Sequence, residues 1–277
     1  VAEIHRAASA QNLDFVAVTD HFTASHWIKL QALGDVGRPL LLQSVEVSGD
    51  FGHMNAHGIR RWINPFVDDN EELSRFLGLE ERPTMARIAD EVHAQGGLVC
   101  INHALSGIFG WRYRDFPPEK ADLYEVVCLP ELTTSFLYAT QWDNYLCRGY
   151  RLTGVASSDS HHPTQEGPWK LGQAVTWIYA QGLSQSALLD GLKKGRAYVA
   201  WGGARLEFAA ESRGERAEMG GEIALGAGGR ASFRAVLKDH PSGNLFILSD
   251  GLIVDVLFYP AAARTEVSFE FAEGDIG

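Results

Sequence analysis

Short apolar runs alternate with helical patterns along roughly the first two hundred residues. Val1, Ile4, Ala7 and Ala8 share one helical face, so the chain opens inside an amphipathic helix that Asn12 is suited to end. The run Phe15–Val18 follows, apolar and β-branched or aromatic, the pattern of a buried strand. Further strand patterns fall at Leu40–Val47, His53–Ile59, Leu98–Ile101, Leu123–Val127, Thr153–Ser157 and Ala174–Tyr179. Between them, Thr84 is placed to cap a helix with Met85, Ile88, Ala89 and Val92 inward, closed by Gly96-Gly97. A second helix, from about Phe136, carries Ala139, Trp142, Tyr145 and Leu146 and stops at Gly149. Ser184 caps a third that ends at Gly195.

Most of these strands are continuous apolar runs, as in parallel strands buried on both faces. An alternation lasting about 200 residues favours a TIM-like barrel over an open sheet, and no G-x-G-x-x-G follows the first strand to support a dinucleotide fold. After Gly202-Gly203 the pattern changes. Residues 211–230 are rich in Gly, Glu and Arg, and strand patterns then recur without helices: Ala231–Leu237, Asn244–Leu248, Leu252–Phe258 and Glu266–Phe271. Asp250-Gly251 between two apolar runs marks a hairpin. The expected organisation is therefore a barrel over residues 1–203 and a small antiparallel, sandwich-like β domain over 204–277.

Composition narrows the function. With 45% hydrophobic and 21% charged residues the chain has a core to bury. A net charge of −11 makes nucleic acid a poor partner, since neutralising phosphates takes a surplus of Lys and Arg. It does not count against a small anionic substrate, which meets a local field. Cys100, Cys128 and Cys147 form no C-x-x-C, and they are expected to be small buried hydrophobes. No apolar run is long enough to span a bilayer, so no membrane partner is expected.

The chemistry lies where the strands end. Asp20 and His21 follow the first strand, Glu46 closes the second, His103 ends the strand after the Thr84 helix, and Asp159 and His161 follow Thr153–Ser157. His53 stands seven residues after Glu46. Taken singly, each is an ordinary loop or capping residue. Their recurrence at successive strand ends is the signal, because the carboxyl ends of parallel barrel strands converge on one face. Imidazoles and carboxylates together suit Zn, Fe or Mn, and a carboxylate such as Glu46 can bridge two ions that clamp a reacting oxygen. If Ser157–His161 stays extended, Asp159 and His161 point the same way and Ser160 the other. Asn55 and Asn102 are candidates to bind substrate or orient ligands. His57 either lines the pocket or packs.

The segments AVTDH (17–21), the Glu46 strand, the strand ending in His103, and SSDSH (157–161) resemble the later motifs of the PHP superfamily, the polymerase and histidinol phosphatase domains. GHMNAHG (52–58), KKGRAYVAWGG (193–203) and the trailing β domain resemble its carbaryl-hydrolase-like branch, CehA/McbA. The resemblance implies a distorted (β/α)7 barrel holding two or three divalent metal ions. It implies His21, Glu46, His53, His103, Asp159 and His161 as ligands, with Asp20 beside them as a partner, and hydrolysis of esters, carbamates or phosphoesters. The family's H-x-H motif on the first barrel strand would precede Val1, and His103 is followed by Ala104 where Pro is common. One more strand and its loop are thus expected upstream, roughly 15–30 residues, and the ending FAEGDIG suggests the same for the β domain.

The leading expectation is a hydrolase in which Asp20 and Glu46 are the catalytic carboxylates and a metal-bound hydroxide attacks a small-molecule ester or carbamate. A PHP-type phosphoesterase is the alternative, and a catalytically inactive binding module the second. In the loop after His103, Arg112, Arg114 and Lys120 would suit a phosphoester, and Trp111, Tyr113 and Phe116 an aryl group; Arg112 is the candidate substrate contact. Oligomeric state is not readable from the sequence.

Overall fold

The computed structural model describes residues 1–33, 38–70, 75–78, 83–128, 135–201 and 203–272. Gly202, at the expected domain boundary, and 273–277 of the expected tail lie outside the described residues. The first part of the chain runs α1 (Ala2–Ala10), β1 (Phe15–Val18), α2 (Trp27–Leu33), β2 (Leu40–Gly49), β3 (Gly52–His57), α3 (Met85–Ala94), β4 (Leu98–Ile101), β5 (Leu123–Cys128), α4 (Ser135–Cys147), β6 (Thr153–Ser157), β7 (Ala174–Ile178), α5 (Gln185–Lys193) and β8 (Ala197–Trp201). Two helix starts follow from capping: Thr84 accepts from the Arg87 amide and Ser184 from the Ala187 amide, each worth about 1 kcal/mol.

Strands β1 to β6 form one six-stranded sheet in chain order. Pairs β1–β2, β4–β5 and β5–β6 are parallel, whereas β3 is antiparallel to both neighbours. The expectation of an all-parallel run gives way there for a simple reason. Only Asp50 and Phe51 separate Gly49 from its partner Gly52, and a parallel return needs a crossover of a dozen or more residues. Gly52, at φ +135°, lies in the region open to glycine, and a Cβ there would come within 2.9 Å of the Trp111 backbone. β7 and β8 pair antiparallel as a separate two-stranded sheet, and β6 shields its free edge by bonding Ala156 to the Thr176 hydroxyl. Residues of β1 and of β6–β7 line a common cavity of about 660 Å³, so the sheet curls until its two ends face one another. The described strands form a curled half-barrel, not a closed (β/α)7 ring.

The core fills the concavity and the helix layer. Val45, Val47, Met54, Ala56, Val99 and Ile101 are fully or almost fully buried, with Ile88, Ala89 and Val92 of α3 packed in the same cluster. Cys100 and Cys128 are buried as expected, but Cys147 at the end of α4 is exposed.

The second part is all β. A four-stranded antiparallel sheet has the order β10 (Glu215–Glu218), β9 (Arg205–Ser212), β11 (Arg230–His240), β14 (Ala262–Ala272). Between β11 and β14 the hairpin β12 (Gly243–Ser249), β13 (Leu252–Tyr259) turns at Asp250-Gly251, both residues at positive φ, as a two-residue hairpin turn requires. Cross-strand stacking of Phe233 on Phe269, 5.3 Å between centroids, supports the larger sheet. No helix among the described residues is long and apolar enough to cross a membrane.

Candidate metal centre

Because β1, β2, β4, β5 and β6 point the same way, their carboxyl ends meet at one rim. Glu46 is the hub. Its backbone bridges His21 in parallel register, joining the rim ends of β1 and β2. Its carboxylate is buried, with three imidazole nitrogens around it: His53 Nδ1 at 3.0 Å, His103 Nε2 at 3.4 Å and His21 Nε2 at 3.6 Å. Glu46, His53 and His103 each offer a ligand atom within 4.8 Å of the others. Ser48 Oγ, 2.8 Å from His21 Nδ1, fixes the His21 ring.

Burial would raise the Glu46 carboxyl, but hydrogen bonds from His103 and His53 and the charge of His21 outweigh it and hold it well below the usual carboxylate range. Burial likewise disfavours a charged His103, yet its bond to Glu46 and the charge of Glu125 push it up to about 9. Burial and the charge of Glu46 raise the Asp159 carboxyl.

These residues fit a divalent cation. His103 Nδ1 and the side-chain oxygens of Asn55 and Asn102 are buried without a hydrogen-bond partner among the described residues, and the donors are imidazole and carboxylate. Asn102 Nδ2 donates to Glu46 Oε1 at 3.1 Å, which orients the carboxylate.

The other expected site residues fall in several places. Asp159 stands at the rim at φ +47°, just past the end of β6 in irregular backbone, so the alternation expected of Ser157–His161 does not apply. His161 is exposed, its ring centroid 6.3 Å from that of His21, and its Nδ1 lies 2.9 Å from the Asp159 carbonyl. Asp20 turns from the cluster toward the buried His26, 2.9 Å away, and contact with that imidazole holds its carboxyl below the usual range. His57 is a core residue: its Nδ1 lies 3.0 Å from Ser44 Oγ, and burial lowers it to about 4. Arg112 is spent on the loop, donating to the carbonyls of Asp50 and Ile108. Lys120 bonds to Asp90, Phe116 is buried in the core, and the Tyr113 hydroxyl donates to Asp69. These four side chains of the loop after His103 are thus engaged within the protein.

Sequence reasoning missed Glu125. It sits on β5, 3% exposed, and accepts from the His103 amide and the Ser157 hydroxyl, tying the ends of β4, β5 and β6 together. Burial raises its carboxyl. A lone acid inside the apolar run LYEVVC was the available signal. The bond also holds His103 at φ +26°, a backbone angle few non-glycine residues adopt.

Comparison with known proteins gives one family match: residues 144–197, spanning α4 to the start of β8, match the PHP-associated family model, PHP_C. No curated protein sequence matches the chain. Among solved structures the chain is similar to a two-domain protein of Bacteroides vulgatus ATCC 8482 described as containing a predicted PHP-like metal-dependent phosphoesterase, at 17% identity and TM-score 0.48, covering 98% of this chain and 82% of that one. It is similar to PsfC of Pseudomonas syringae PB-5123 at 14% identity and TM-score 0.48, covering 73% and 82%. It is similar to the lesion-specific endonuclease PfuEndoQ of Pyrococcus furiosus at 15% identity and TM-score 0.47, covering 71% and 52%. None of these descriptions names a carbamate or a carboxylic ester, so the carbaryl-hydrolase-like branch expected from the sequence finds no support. The family match falls in the segment that carries Ser157, Asp159 and His161.

Proposed function

We propose that this chain is a metal-dependent phosphoesterase of the PHP kind. The observation that carries the reading is the Glu46 carboxylate enclosed by His21, His53 and His103, with unpartnered buried acceptors beside it. The PHP-associated match over 144–197 is in keeping with a PHP-type centre. Glu46, His53 and His103 would hold the first ion, and His21, Asp159 and His161 complete the ligand set. Divalent ions in such a centre supply Lewis acidity and acidify a bound water. The chain's own groups do the rest. Asn102 orients Glu46, Ser48 holds the His21 ring, and Glu125 holds the His103 backbone. The unpartnered oxygens of Asn55 and Asn102 are acceptors for a donor on the substrate. Arg38, the one Lys or Arg among the described residues lining the cavity, is paired with Asp14 at 2.7 Å, so the phosphoryl charge is left to the metal centre and its imidazoles.

The test is elemental analysis of protein purified without chelator, followed by parallel assays of an aryl phosphate, an aryl acetate and an aryl methylcarbamate. Bound divalent metal and preferential turnover of the phosphate are expected, with Glu46→Gln lowering both metal content and turnover at least about 100-fold. Preference for the acetate or carbamate would overturn the phosphoester reading, and absence of metal would overturn the centre.

A further inference from the structure

A chain of five aromatic rings runs through His21 and His53 of the metal centre. Phe66 stacks on Phe22, with centroids 5.3 Å apart and planes at 14°. Phe22 adjoins His21 at 6.0 Å, His21 meets His53 edge-on at 5.7 Å, and Phe109 completes the series 5.5 Å from His53. The three phenylalanines come from separate segments and remain 42%, 50% and 54% exposed for Phe22, Phe66 and Phe109. Solvent-exposed phenyl rings gathered at one site are unfavourable unless something covers them.

Their placement is fixed by the site itself. Ser48, which orients His21, also forms the backbone bridge to Phe66. Phe22 sits at φ +52°, a conformation that is an outlier for a bulky residue, directly after the ligand His21. Such strain persists where surrounding structure enforces it, and it clusters at functional sites. Among the described residues lining the cavity Arg38 is the one Lys or Arg, and it is paired with Asp14, while Arg112 donates to carbonyls of its own loop and of Asp50. A ligand here finds flat apolar surface beside the metal residues and, in the cavity, no unpaired Lys or Arg among the described residues for extra phosphates.

We propose that Phe22, Phe66 and Phe109 form a clamp for an uncharged aromatic group, which makes the substrate an aryl-bearing phosphoester and disfavours polyphosphates and sugar phosphates. The phosphoryl half of this statement rests on the function proposed above; the aryl half rests on the rings alone.

Binding to the metal-loaded protein separates the two halves. Calorimetry is run with phenylphosphonate against methylphosphonate, and with benzohydroxamate against acetohydroxamate, metal-seeking groups without phosphorus. The phenyl member of each pair is expected to bind roughly tenfold tighter or more, as ring stacking contributes elsewhere. In Phe22→Ala and Phe66→Ala the ratio should fall to within about threefold, with metal content unchanged. Phe109→Ala, on its separate turn, tests the clamp if Phe22→Ala does not fold. Discrimination in the hydroxamate pair with no binding of either phosphonate keeps the clamp and refutes the phosphoester reading. Absence of phenyl preference in both pairs, or a preference unmoved by the phenylalanine variants, overturns the clamp.

Discussion

Replacing Glu125 by leucine tests how the rim of the sheet is held. Leucine is close in volume and apolar, so packing around β5 changes little. What it removes is both acceptor oxygens, stranding the His103 amide and the Ser157 hydroxyl. A buried donor left without a partner costs about 1–3 kcal/mol, so two cost about 2–6. Removing a buried carboxylate returns part of its desolvation cost, and the net expected loss is about 2–4 kcal/mol. Glutamine keeps an acceptor for the His103 amide, and the Ser157 hydroxyl rotates to accept from the new NH2. Glu125→Gln should therefore stay within about 1 kcal/mol of the parent. Urea unfolding followed by far-UV circular dichroism reads both values by linear extrapolation. A Leu variant within about 0.5 kcal/mol of the parent would refute the reasoning, because the donors would then have other partners. Equal losses for Gln and Leu would assign the effect to the charge instead of the hydrogen bonds.

Burial and space set two further expected outcomes. Because burial lowers His57 to about 4, against an ordinary value near 6.5, the unfolded chain takes up its proton first. Its contribution is complete above about pH 6.5 and is lost as pH falls toward 4. Between pH 7 and 5 the parent should lose about 2 kcal/mol that His57→Gln does not lose; urea midpoints with the same pH dependence in both proteins would refute this. In the turn after α3, a Cβ added at Gly97 would lie 2.6 Å from the His57 carbonyl and 2.9 Å from Val92, whereas Gly96 faces open space at φ +75°. Gly97→Ala should cost about 2–3 kcal/mol and Gly96→Ala only about 1, and thermal midpoints in the reverse order would show that the backbone at His57 yields.

The strands were legible because their apolar runs are continuous: β1, β4 and β6 have the limits that the sequence suggests. Their directions were not. Whether β3 returns beside β2 is decided by the two residues Asp50 and Phe51, and the segment Gly52–His57 is polar enough to be read as loop or strand. Barrel closure was beyond reach for the same reason, since it depends on pairing between strands far apart in sequence. β9 and β10 escaped notice because β10 lies in the Gly-, Glu- and Arg-rich stretch and pairs, among the described residues, only with β9, which pairs in turn with β11. At the site, Glu46 and His103 could be read from their recurrence at strand ends, and His53 from its place in the segment GHMNAHG. Phe22, Phe66 and Phe109 could not, since nothing along the chain separates an exposed ring from Phe116, which is buried.

The strand order of the main sheet has a consequence for how the centre is assembled. Each of the six strands lies beside its predecessor in the chain, so the sheet can grow at one edge as the polypeptide emerges, with low contact order at each step. Glu46 and His53 lie on a single hairpin seven residues apart, whereas His103 arrives one strand after that hairpin and Asp159 three. The first half of the centre is thus a local structure, formable within microseconds of its synthesis. The second half needs β4 and β6, which follow α3 and α4 in the chain. A metal ion taken up early would meet the hairpin pair first and act as a template for the strands still to come.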